Sequence, residues 1–417
     1  MKKILVKGPV LTRSGYGEQA RFALRALRDS NVFDIYIATI NWGQTSWIPD
    51  DSEERRWIDK MIVKTTEYIQ SGGQFDMSLQ ITIPNEFQKM APINIGYTAG
   101  IETTMVAPEW IEAGNQMDKL IVVSNHSKNV YEETKYYLKQ ENTEEVMPFA
   151  LSTPIDVVNY PVREYEKKDL DLNLEYDFNF LCVAQWGPRK NLKNTIKWFI
   201  EEFKDEEVGL VVKANVAKNC YMDYDLCYQK IQELIARTVK DRKCKIYLLH
   251  GDMTDEEMTG LYNHPKIKAF TTLTHGEGYG LPIFEAAYSG MPIIAPAWSG
   301  QCDYLFAPIT NKKTKRTRIR ACFSKVDYTL DKIPKDVVWK GVLHAESMWC
   351  YPKEKSYKTC LRNVYKNYSF HFGEAKKLKK YILENFTNEK LYDQFISACV
   401  DLSAGNDAED DQVVMVV

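Results

Sequence analysis

Residues 268–305 read KAFTTLTHGEGYGLPIFEAAYSGMPIIAPAWSGQCDYL, and this stretch decides the fold. A short apolar run at 267–273 predicts a buried strand, and a loop interrupted by glycines follows it. A helix is predicted over 283–288 and ends at Gly290, because glycine readily adopts the left-handed conformation that closes a helix. A second apolar strand is predicted over 291–295. Strand, loop, helix and strand in this order form the unit of a parallel α/β sheet.

Two carboxylates frame this loop, with seven residues between Glu277 and Glu285. A helix N-terminus presents unpaired N–H groups and a positive dipole end, so the backbone of 278–281 can hold phosphate. Glu285 lies about one turn into the helix, where its carboxylate can accept both hydroxyls of a ribose. Glu277 precedes the turn and can bond a sugar beyond the phosphates. The alternative interpretation is purely structural. An acidic residue near the helix N-terminus stabilises the helix dipole, and the glycines form a turn.

The segment GEGYGLPIFEAAYSGMPIIAP, residues 276–296, resembles the glutamate-x7-glutamate signature of retaining GT-B glycosyltransferases of the family 4 type. Those enzymes use nucleotide-sugar donors; their first glutamate contacts the donor sugar and their second the ribose. The resemblance implies an α/β protein with two doubly wound Rossmann-like domains and C-terminal helices that cross back to the N-terminal domain. It also implies that no metal and no cofactor is needed besides the nucleotide-diphosphate sugar.

Basic residues follow a predicted strand at 178–186, where the family supplies an arginine and then a lysine for the donor diphosphate. Lys190 matches the lysine, whereas Gln185 stands at the arginine position and carries no charge. Arg189 is the candidate substitute, and Lys213, at the end of a predicted strand, adds positive charge. The candidate catalytic residues are Glu277, Lys190 and Glu102, and the candidate donor-binding residues are Glu285, Arg189, Lys213, Gly278, Tyr279, Gly280, Leu281, Gly15 and Gly17.

The N-terminus predicts a strand at 4–10, then a loop with Gly15 and Gly17, then an amphipathic helix. Taken alone, the two glycines are compatible with a simple turn or with a ligand loop. Beside the glutamate motif they resemble the loop that faces the donor phosphates from the opposite domain. Residues 7–27, KGPVLTRSGYGEQARFALRAL, resemble the start of glycosyltransferases encoded by T4-like and marine bacteriophages, which leaves glycans and modified DNA bases open as acceptors.

Polar residues also follow predicted strands near Thr98 and at 120–124. Strand ends of an open α/β sheet point into the ligand crevice, so Thr98, Glu102 and His126 are candidates to line it, with Thr98 and His126 on the acceptor side. His126 is equally compatible with a polar position on the first turn of a helix. Ser124 is predicted to cap that helix.

Composition narrows the class of protein. A chain of 417 residues is long for one core and predicts two domains. The net charge of −3 argues against a strongly basic nucleic-acid binder. Nine cysteines with no C-x-x-C pair predict reduced thiols and a cytoplasmic location.

We expect an N-terminal domain at 1–155, a donor-side domain at 156–370, returning helices at 371–403 and a tail at 404–417.

Two charged segments remain. Six of the nine residues from Lys312 to Arg320 are basic, which is typical of a solvated hairpin tip or of a contact to acceptor phosphates, DNA included. The residues of that possible contact are Lys312, Lys313, Lys315, Arg316, Arg318 and Arg320. Two D-x-D matches, at 169–171 and 223–225, are interpreted as solvated charge rather than as metal ligands.

These patterns predict a metal-independent hexosyl- or pentosyltransferase that moves a sugar from a nucleotide diphosphate to a hydroxyl acceptor with retention. The acceptor is a glycan, a lipid-linked sugar or a modified DNA base. The alternatives are a non-catalytic protein that binds sugar nucleotides on the same scaffold and a sugar-nucleotide epimerase. An epimerase needs histidine and acid groups that converge on the site, and the chain has six histidines in all.

Overall fold

The computed structural model describes residues 1–139, 146–239, 241–310 and 313–407. Its strands are β1 (Lys2–Gly8), β2 (Phe33–Thr39), β3 (Met77–Ile81), β4 (Ile93–Thr98), β5 (Lys119–Val122), β6 (Lys135–Lys139), β7 (Val146–Ala150), β8 (Ile155–Val157), β9 (Asn179–Gln185), β10 (Gly209–Asn215), β11 (Lys245–Leu249), β12 (Ile267–Thr271), β13 (Ile293–Pro296), β14 (Phe306–Thr310), β15 (Thr317–Ala321), β16 (Ser324–Val326), β17 (Tyr328–Lys332) and β18 (Met348–Pro352).

The helices alternate with these strands. They are α1 (Gly15–Ser30), α2 (Glu53–Gln70), α3 (Pro108–Gly114), α4 (Asn125–Glu133), α5 (Leu192–Phe203), α6 (Tyr221–Thr238), α7 (Asp255–Tyr262), α8 (Leu281–Ser289), α9 (Cys302–Leu305), α10 (Glu354–Lys366), α11 (Tyr368–Asn385) and α12 (Asn388–Asp407). Within the described ranges, no helix is long and apolar enough to cross a membrane.

The chain forms two compact units. Unit 1 contains Met1–Pro161, Val338–Ser347 and the described chain from Asn388 onward, and unit 2 contains Val162–Val337 and Met348–Thr387. The helix that returns to unit 1 is therefore α12, which packs on α1, whereas α11 packs on α8 within unit 2.

Unit 1 contains a parallel sheet in the order β2-β1-β3-β4-β5-β8. Its central strands β3, β4 and β5 are buried at every position, as expected for a sheet that helices cover on both faces. Phe22 of α1 contacts Phe395 of α12, and Phe395 also contacts Tyr97 of β4, so the returning helix completes this core.

Unit 2 contains a parallel sheet in the order β11-β10-β9-β12-β13-β16. Its core joins this sheet to α5, α6 and α10 through side chains such as Phe180, Phe199 and Tyr357. The two predicted doubly wound Rossmann-like sheets are confirmed.

Local signals account for several helix ends. Ser124 accepts a hydrogen bond from the backbone N–H of Ser127, and this confirms the predicted cap of α4. Helix α8 begins two residues earlier than predicted, because Gly280 adopts a φ of +87° as its N-cap and a proline fits its first turn. Gly290 ends α8 with a φ of +89°, as predicted.

Candidate functional site

The sheet of unit 2 reverses its strand order between β9 and β12, and ligands of open α/β sheets bind beside such a reversal, at the carboxyl ends of the strands. The loops that leave these two strands are bonded to each other. The backbone N–H of His275 donates to the carbonyl of Arg189 at 2.8 Å, and the Asn191 amide donates to the carbonyl of Leu273 at 3.1 Å. The two loops therefore form one structure at the carboxyl edge.

Glu277 lies at the centre of this structure with two cations. The ammonium of Lys190 is 2.6 and 2.7 Å from its two carboxylate oxygens. The guanidinium of Arg189 is 3.1 Å from Oε2 and also donates to the carbonyl of Gly276 at 2.5 Å. The structure thus brings together three residues that the sequence assigned to the site separately.

This cluster is charged in spite of its burial. The side chain of Glu277 is 9% exposed, that of Lys190 19% and that of Arg189 24%. Burial by itself raises the pKa of Glu277, but the charges of Lys190 and Arg189 outweigh it and lower the pKa to about 2. Two cations beside one carboxylate leave a net positive charge, which suits an anionic ligand.

The backbone after Glu277 is fixed by residues from the next loop. The N–H of Glu277 donates to the hydroxyl of Ser299 at 2.9 Å, and the N–H of Gly300 donates back to the carbonyl of Glu277 at 2.9 Å. A side chain at position 300 would meet the carbonyl oxygen of Gly278 at 2.0 Å, so this close contact requires glycine. The predicted phosphate loop is therefore a rigid turn that leads into α8.

The other donor-loop candidates lie in this turn. Tyr279 is buried, and the hydroxyl of Tyr304 lies 3.1 Å from its carbonyl oxygen and 2.9 Å from that of Gly280. Leu281 is the first residue of α8. The N-terminus of this nine-residue helix thus lies directly after the Glu277 cluster.

Glu285 has a separate set of partners. The hydroxyl of the buried Tyr262 donates to Oε2 of Glu285 at 2.9 Å, and Arg163 lies 3.6 Å from Oε1. Burial raises the pKa of Tyr262 well above its ordinary value, and the adjacent carboxylate raises it further, so the hydroxyl keeps its proton. Sequence reasoning missed both partners. Tyr262 precedes Glu285 by 23 residues and Arg163 lies further back, before α5, so local spacing gave no signal for either contact.

Two donor-side positions lie nearer to β10. The ammonium of Lys213 donates to the carbonyl of Gly251 at 2.6 Å. Gln185, at the position where the family has arginine, ends β9 and donates to the carbonyl of Val216 at 2.8 Å. The neutral side chain of Gln185 therefore connects the end of β9 to the loop after β10.

The interpretation of 223–225 as solvated charge is wrong for Asp223, which is 5% exposed. Its carboxylate accepts the N–H groups of Val216 and Ala217 at 2.8 Å each and lies 2.9 Å from Nε2 of His250. Cys227 completes a group of three potential metal ligands. Burial and the charge of Asp223 raise the pKa of the Cys227 thiol to about 11. The two N–H bonds that Asp223 accepts fix the loop after β10.

In unit 1, the two glycines lie inside the first turn of α1 rather than before the helix. Ser14 caps the helix by accepting the N–H of Gly17 at 2.9 Å. A side chain at position 17 would meet the carbonyl oxygen of Thr12 at 2.0 Å, whereas position 15 faces open space. Only Gly17 is thus required by packing.

Tyr16, between these glycines, connects the acceptor-side candidates. Its hydroxyl lies 2.8 Å from Oγ1 of Thr98 and accepts the N–H of Ala99 at 3.2 Å. Burial raises the pKa of Tyr16, and the nearby charge of Glu102 raises it further. The ring of Tyr16 stacks on Trp42, with the ring centroids 4.1 Å apart. Neither aromatic residue was predicted as a site residue, although Tyr16 lies between two glycines that were.

His126 is placed on the first turn of α4, one of the two positions that the sequence left open. Burial lowers its pKa to about 4, and the backbone of Thr103 opposes this shift. The imidazole is therefore neutral at pH 7.

The basic segment forms the predicted hairpin of β14 and β15, while Lys312 lies outside the described residues. Lys313, Lys315, Arg316, Arg318 and Arg320 are exposed. Arg320 lies 4.0 Å from Glu374 of α11, so one of these charges is partly balanced.

No protein-family model matches the chain, and no curated protein matches it in sequence. Solved structures do match its fold. Sucrose-phosphate synthase from Thermosynechococcus elongatus has a TM-score of 0.62 at 10% identity, over 97% of this chain and 100% of that one. HepE from Anabaena, solved with UDP-glucose, has a TM-score of 0.57 at 11% identity, over 96% and 100%. WaaB, a lipopolysaccharide outer core galactosyltransferase, has a TM-score of 0.52 at 11% identity, over 96% and 100%.

At these identities the similarity shows the fold. The chain has the GT-B architecture of two Rossmann-like domains that these glycosyltransferases share, and the predicted fold class is confirmed.

Proposed function

We propose that this protein is a retaining glycosyltransferase that moves a hexose or pentose from a nucleotide-diphosphate sugar to a hydroxyl group. The observation that carries the proposal is the cluster of Glu277, Lys190 and Arg189 at the strand reversal of unit 2, directly before the N-terminus of α8. Cations and helix N–H groups at one point are what a departing diphosphate requires. The GT-B fold supports the same class of reaction.

The roles follow from the contacts. The donor diphosphate exchanges with the carboxylate of Glu277 on Lys190 and Arg189, and the turn at 278–281 adds backbone N–H groups. Glu277 then bonds the donor sugar. Glu285, held by Tyr262 and Arg163, accepts the ribose hydroxyls. Lys213 contributes positive charge from the neighbouring strand rather than a direct contact.

The chemical step breaks the bond between the anomeric carbon and the diphosphate oxygen, and the electron pair leaves with the diphosphate. The acceptor oxygen bonds to the same face of the sugar, and its proton passes to the departing phosphate oxygen. No protein nucleophile and no metal takes part in the proposed step. Lys190 and Arg189 stabilise the charge that develops on the leaving group.

The acceptor side of the proposal includes Thr98, Glu102 and the glycine segment of unit 1. The acceptor is a glycan, a lipid-linked sugar or a modified DNA base. Contact of a DNA acceptor with the hairpin of β14 and β15 remains a prediction, as do bacteriophage origin and a cytoplasmic location.

A screen of nucleotides tests the donor assignment. Ligands that bind the folded state raise the melting temperature, so UDP, GDP, ADP, dTDP and CMP are compared with their sugar conjugates. We expect one nucleotide to stabilise the wild-type protein and to stabilise a Glu285→Ala variant less. If no nucleotide and no sugar conjugate shifts the melting temperature, the proposal fails.

A catalytically silent scaffold is the second candidate, because the neutral Gln185 bonds Val216 at the position where the family has arginine. Slow hydrolysis of the bound donor separates the two. A transferase releases free sugar from the donor that the screen identifies, whereas a binding protein releases none. Lys190→Met should abolish this release, and Lys193→Met, an exposed lysine on α5, should not.

A further inference from the structure

The loops at the carboxyl edge of unit 1 present a pair of stacked aromatic rings. Tyr16 comes from the first turn of α1, after β1, and Trp42 comes from the loop after β2. Their centroids are 4.1 Å apart and their planes differ by 28°. Both residues are partly exposed.

The loop that carries Trp42 is well anchored. The N–H and the hydroxyl of Thr45 both donate to the carbonyl of Trp42, at 3.2 and 2.7 Å, and close a turn. The loop is bonded to the segment after β1, because the N–H of Arg13 donates to the carbonyl of Ser46 at 2.8 Å. The N–H of Ile48 also donates to the carbonyl of Leu11 at 2.9 Å. A fixed, partly exposed indole loses little conformational entropy when a ligand stacks on it.

Hydrogen-bonding groups lie beside these rings. The hydroxyl of Tyr16 lies 2.8 Å from that of Thr98, and the carboxylate of Glu102 is close enough to raise the pKa of Tyr16. An aromatic face with hydroxyls and a carboxylate matches a sugar ring, whose C–H groups form an apolar face and whose hydroxyls point outward. The electron-rich face of an aromatic ring attracts those C–H hydrogens.

The charge of the loops around the two rings indicates whether they suit a sugar or a nucleic acid. Aromatic rings also stack on bases, but proteins that bind polynucleotides neutralise phosphates with lysine and arginine. The loop at 40–52 contains Asp50 and Asp51, and its basic neighbours are already engaged, because Arg55 donates to the carbonyl of Ile48 and Arg56 pairs with Asp51. The segment between β1 and Tyr16 adds a single cation, Arg13, whereas the loop at 99–107 contains Glu102 and no basic residue. These loops are suited to a neutral ligand that is rich in hydroxyl groups.

We propose that Trp42 and Tyr16 form the platform on which the acceptor is held, and that the acceptor is a saccharide whose ring stacks on Trp42. That the bound saccharide is the acceptor of a transfer reaction rests on the proposed function. The binding of a sugar ring at this place is independent of it and can be measured without any nucleotide.

The test is saturation-transfer NMR with the full chain and three probes: methyl α-glucopyranoside, methyl β-galactopyranoside and the methyl glycoside of N-acetylglucosamine. A twelve-nucleotide single-stranded DNA serves as the competing probe. The variants are Trp42→Leu, which keeps apolar bulk but removes the aromatic face, and Trp42→Phe, which keeps a smaller face. Trp339→Ala is the matched control, because Trp339 is 60% exposed in the same unit.

We expect at least one glycoside to give a signal with the wild-type protein and with Trp339→Ala. Its dissociation constant should rise at least tenfold in Trp42→Leu and by a smaller factor in Trp42→Phe. Unchanged melting temperatures would show that the variants are folded. No glycoside signal in the wild-type protein, an unchanged signal in both Trp42 variants, or binding of the DNA alone would overturn the inference.

The proposed function can fail separately. If no nucleotide sugar is bound or hydrolysed while the glycoside signal depends on Trp42, the sugar platform stands and the transferase assignment does not. If the donor is hydrolysed while no glycoside binds, the reverse holds.

Discussion

The two carboxyl edges of this protein are built from different chemistry. At the edge of unit 2, two cations, Lys190 and Arg189, each lie within 3.1 Å of the buried carboxylate of Glu277. At the edge of unit 1, a stacked ring pair and hydroxyl groups provide the contacts, at Tyr16, Trp42 and Thr98. Charge is strong and sensitive to pH and salt, whereas stacked rings and neutral hydroxyls are sensitive to neither. Similar folds thus present one edge that suits an anion and one that suits a neutral ligand.

The largest expected effect concerns the positive charge of Lys190 in unit 2. Lys190→Met removes the cation that bonds both oxygens of Glu277, and we expect turnover to fall by roughly a hundredfold to a thousandfold, as when one transition-state donor is lost. Donor affinity should fall less. Single-turnover transfer at saturating donor measures the effect, with Lys193→Met as the control. Turnover within twofold of wild type would exclude Lys190 as the group that stabilises the leaving group.

Acid should weaken unit 2 through Glu277. Its pKa is lowered from the ordinary value of 4.5 to about 2, so between these values the unfolded chain binds more protons than the native one. The free energy of unfolding should therefore contain a contribution on the order of 3 kcal/mol that is complete above pH 4.5 and disappears towards pH 2.

Urea unfolding of Glu277→Gln at several pH values measures that contribution, because the variant should lose stability less steeply than wild type in this window. Tyr16→Phe supplies the comparison with unit 1 and should follow the wild-type slope. Equal slopes for wild type and Glu277→Gln would mean that the carboxylate is not held ionised by its neighbours.

Nucleotide affinity should depend on Glu285. A charge-assisted hydrogen bond contributes about 1.5–3 kcal/mol, so Glu285→Gln should weaken binding of the nucleotide by roughly tenfold to a hundredfold. Calorimetry with the nucleotide identified by the screen measures this. Glu256→Gln, which changes an exposed carboxylate on α7, is the control. An unchanged affinity would remove Glu285 from the ribose.

The smallest effect concerns the group that positions Glu285. Tyr262→Phe removes the hydroxyl that donates to Oε2 of Glu285 at 2.9 Å, a charge-assisted bond worth about 1.5–3 kcal/mol. Only part of that free energy reaches the bound nucleotide, because Tyr262 acts through the position of Glu285. We expect nucleotide affinity to fall twofold to tenfold, with little change in turnover at saturating donor. An equal loss in both quantities would indicate that Tyr262 supports the packing of unit 2 in general.

Local spacing predicted much of unit 2. The strand, loop and helix around Glu277 follow one another along the chain, so periodicity and glycine positions were sufficient to place the glutamates at a helix start. The capping box of Thr254 and Glu257 at the start of α7 is equally local, since the two residues are three positions apart. Such features depend on neighbours within a few residues.

Contacts between segments far apart in the sequence could not be predicted from local spacing. Lys190 and Glu277 are 87 residues apart, and Tyr16 and Thr98 are 82 apart. These pairs meet because parallel sheets place β9 beside β12, and β1 and β4 on either side of β3, an order that local periodicity does not contain. The interpretation of Asp223 was wrong partly for the same reason, because its partner His250 lies 27 residues away. The N–H groups that it accepts, of Val216 and Ala217, are only seven and six residues away, but their loop has no periodic pattern that predicts the contact.

The ion pair of Glu277 has one further consequence for a nucleotide that arrives at unit 2. The carboxylate is a resident counter-ion for Lys190 and Arg189, so a diphosphate replaces one anion by another instead of meeting bare cations. The affinity for the nucleotide should then vary less with ionic strength than it would at two cations without a counter-ion. In the proposed reaction, the carboxylate would return to both cations when the nucleoside diphosphate leaves, so that the buried cations are not left without an anion.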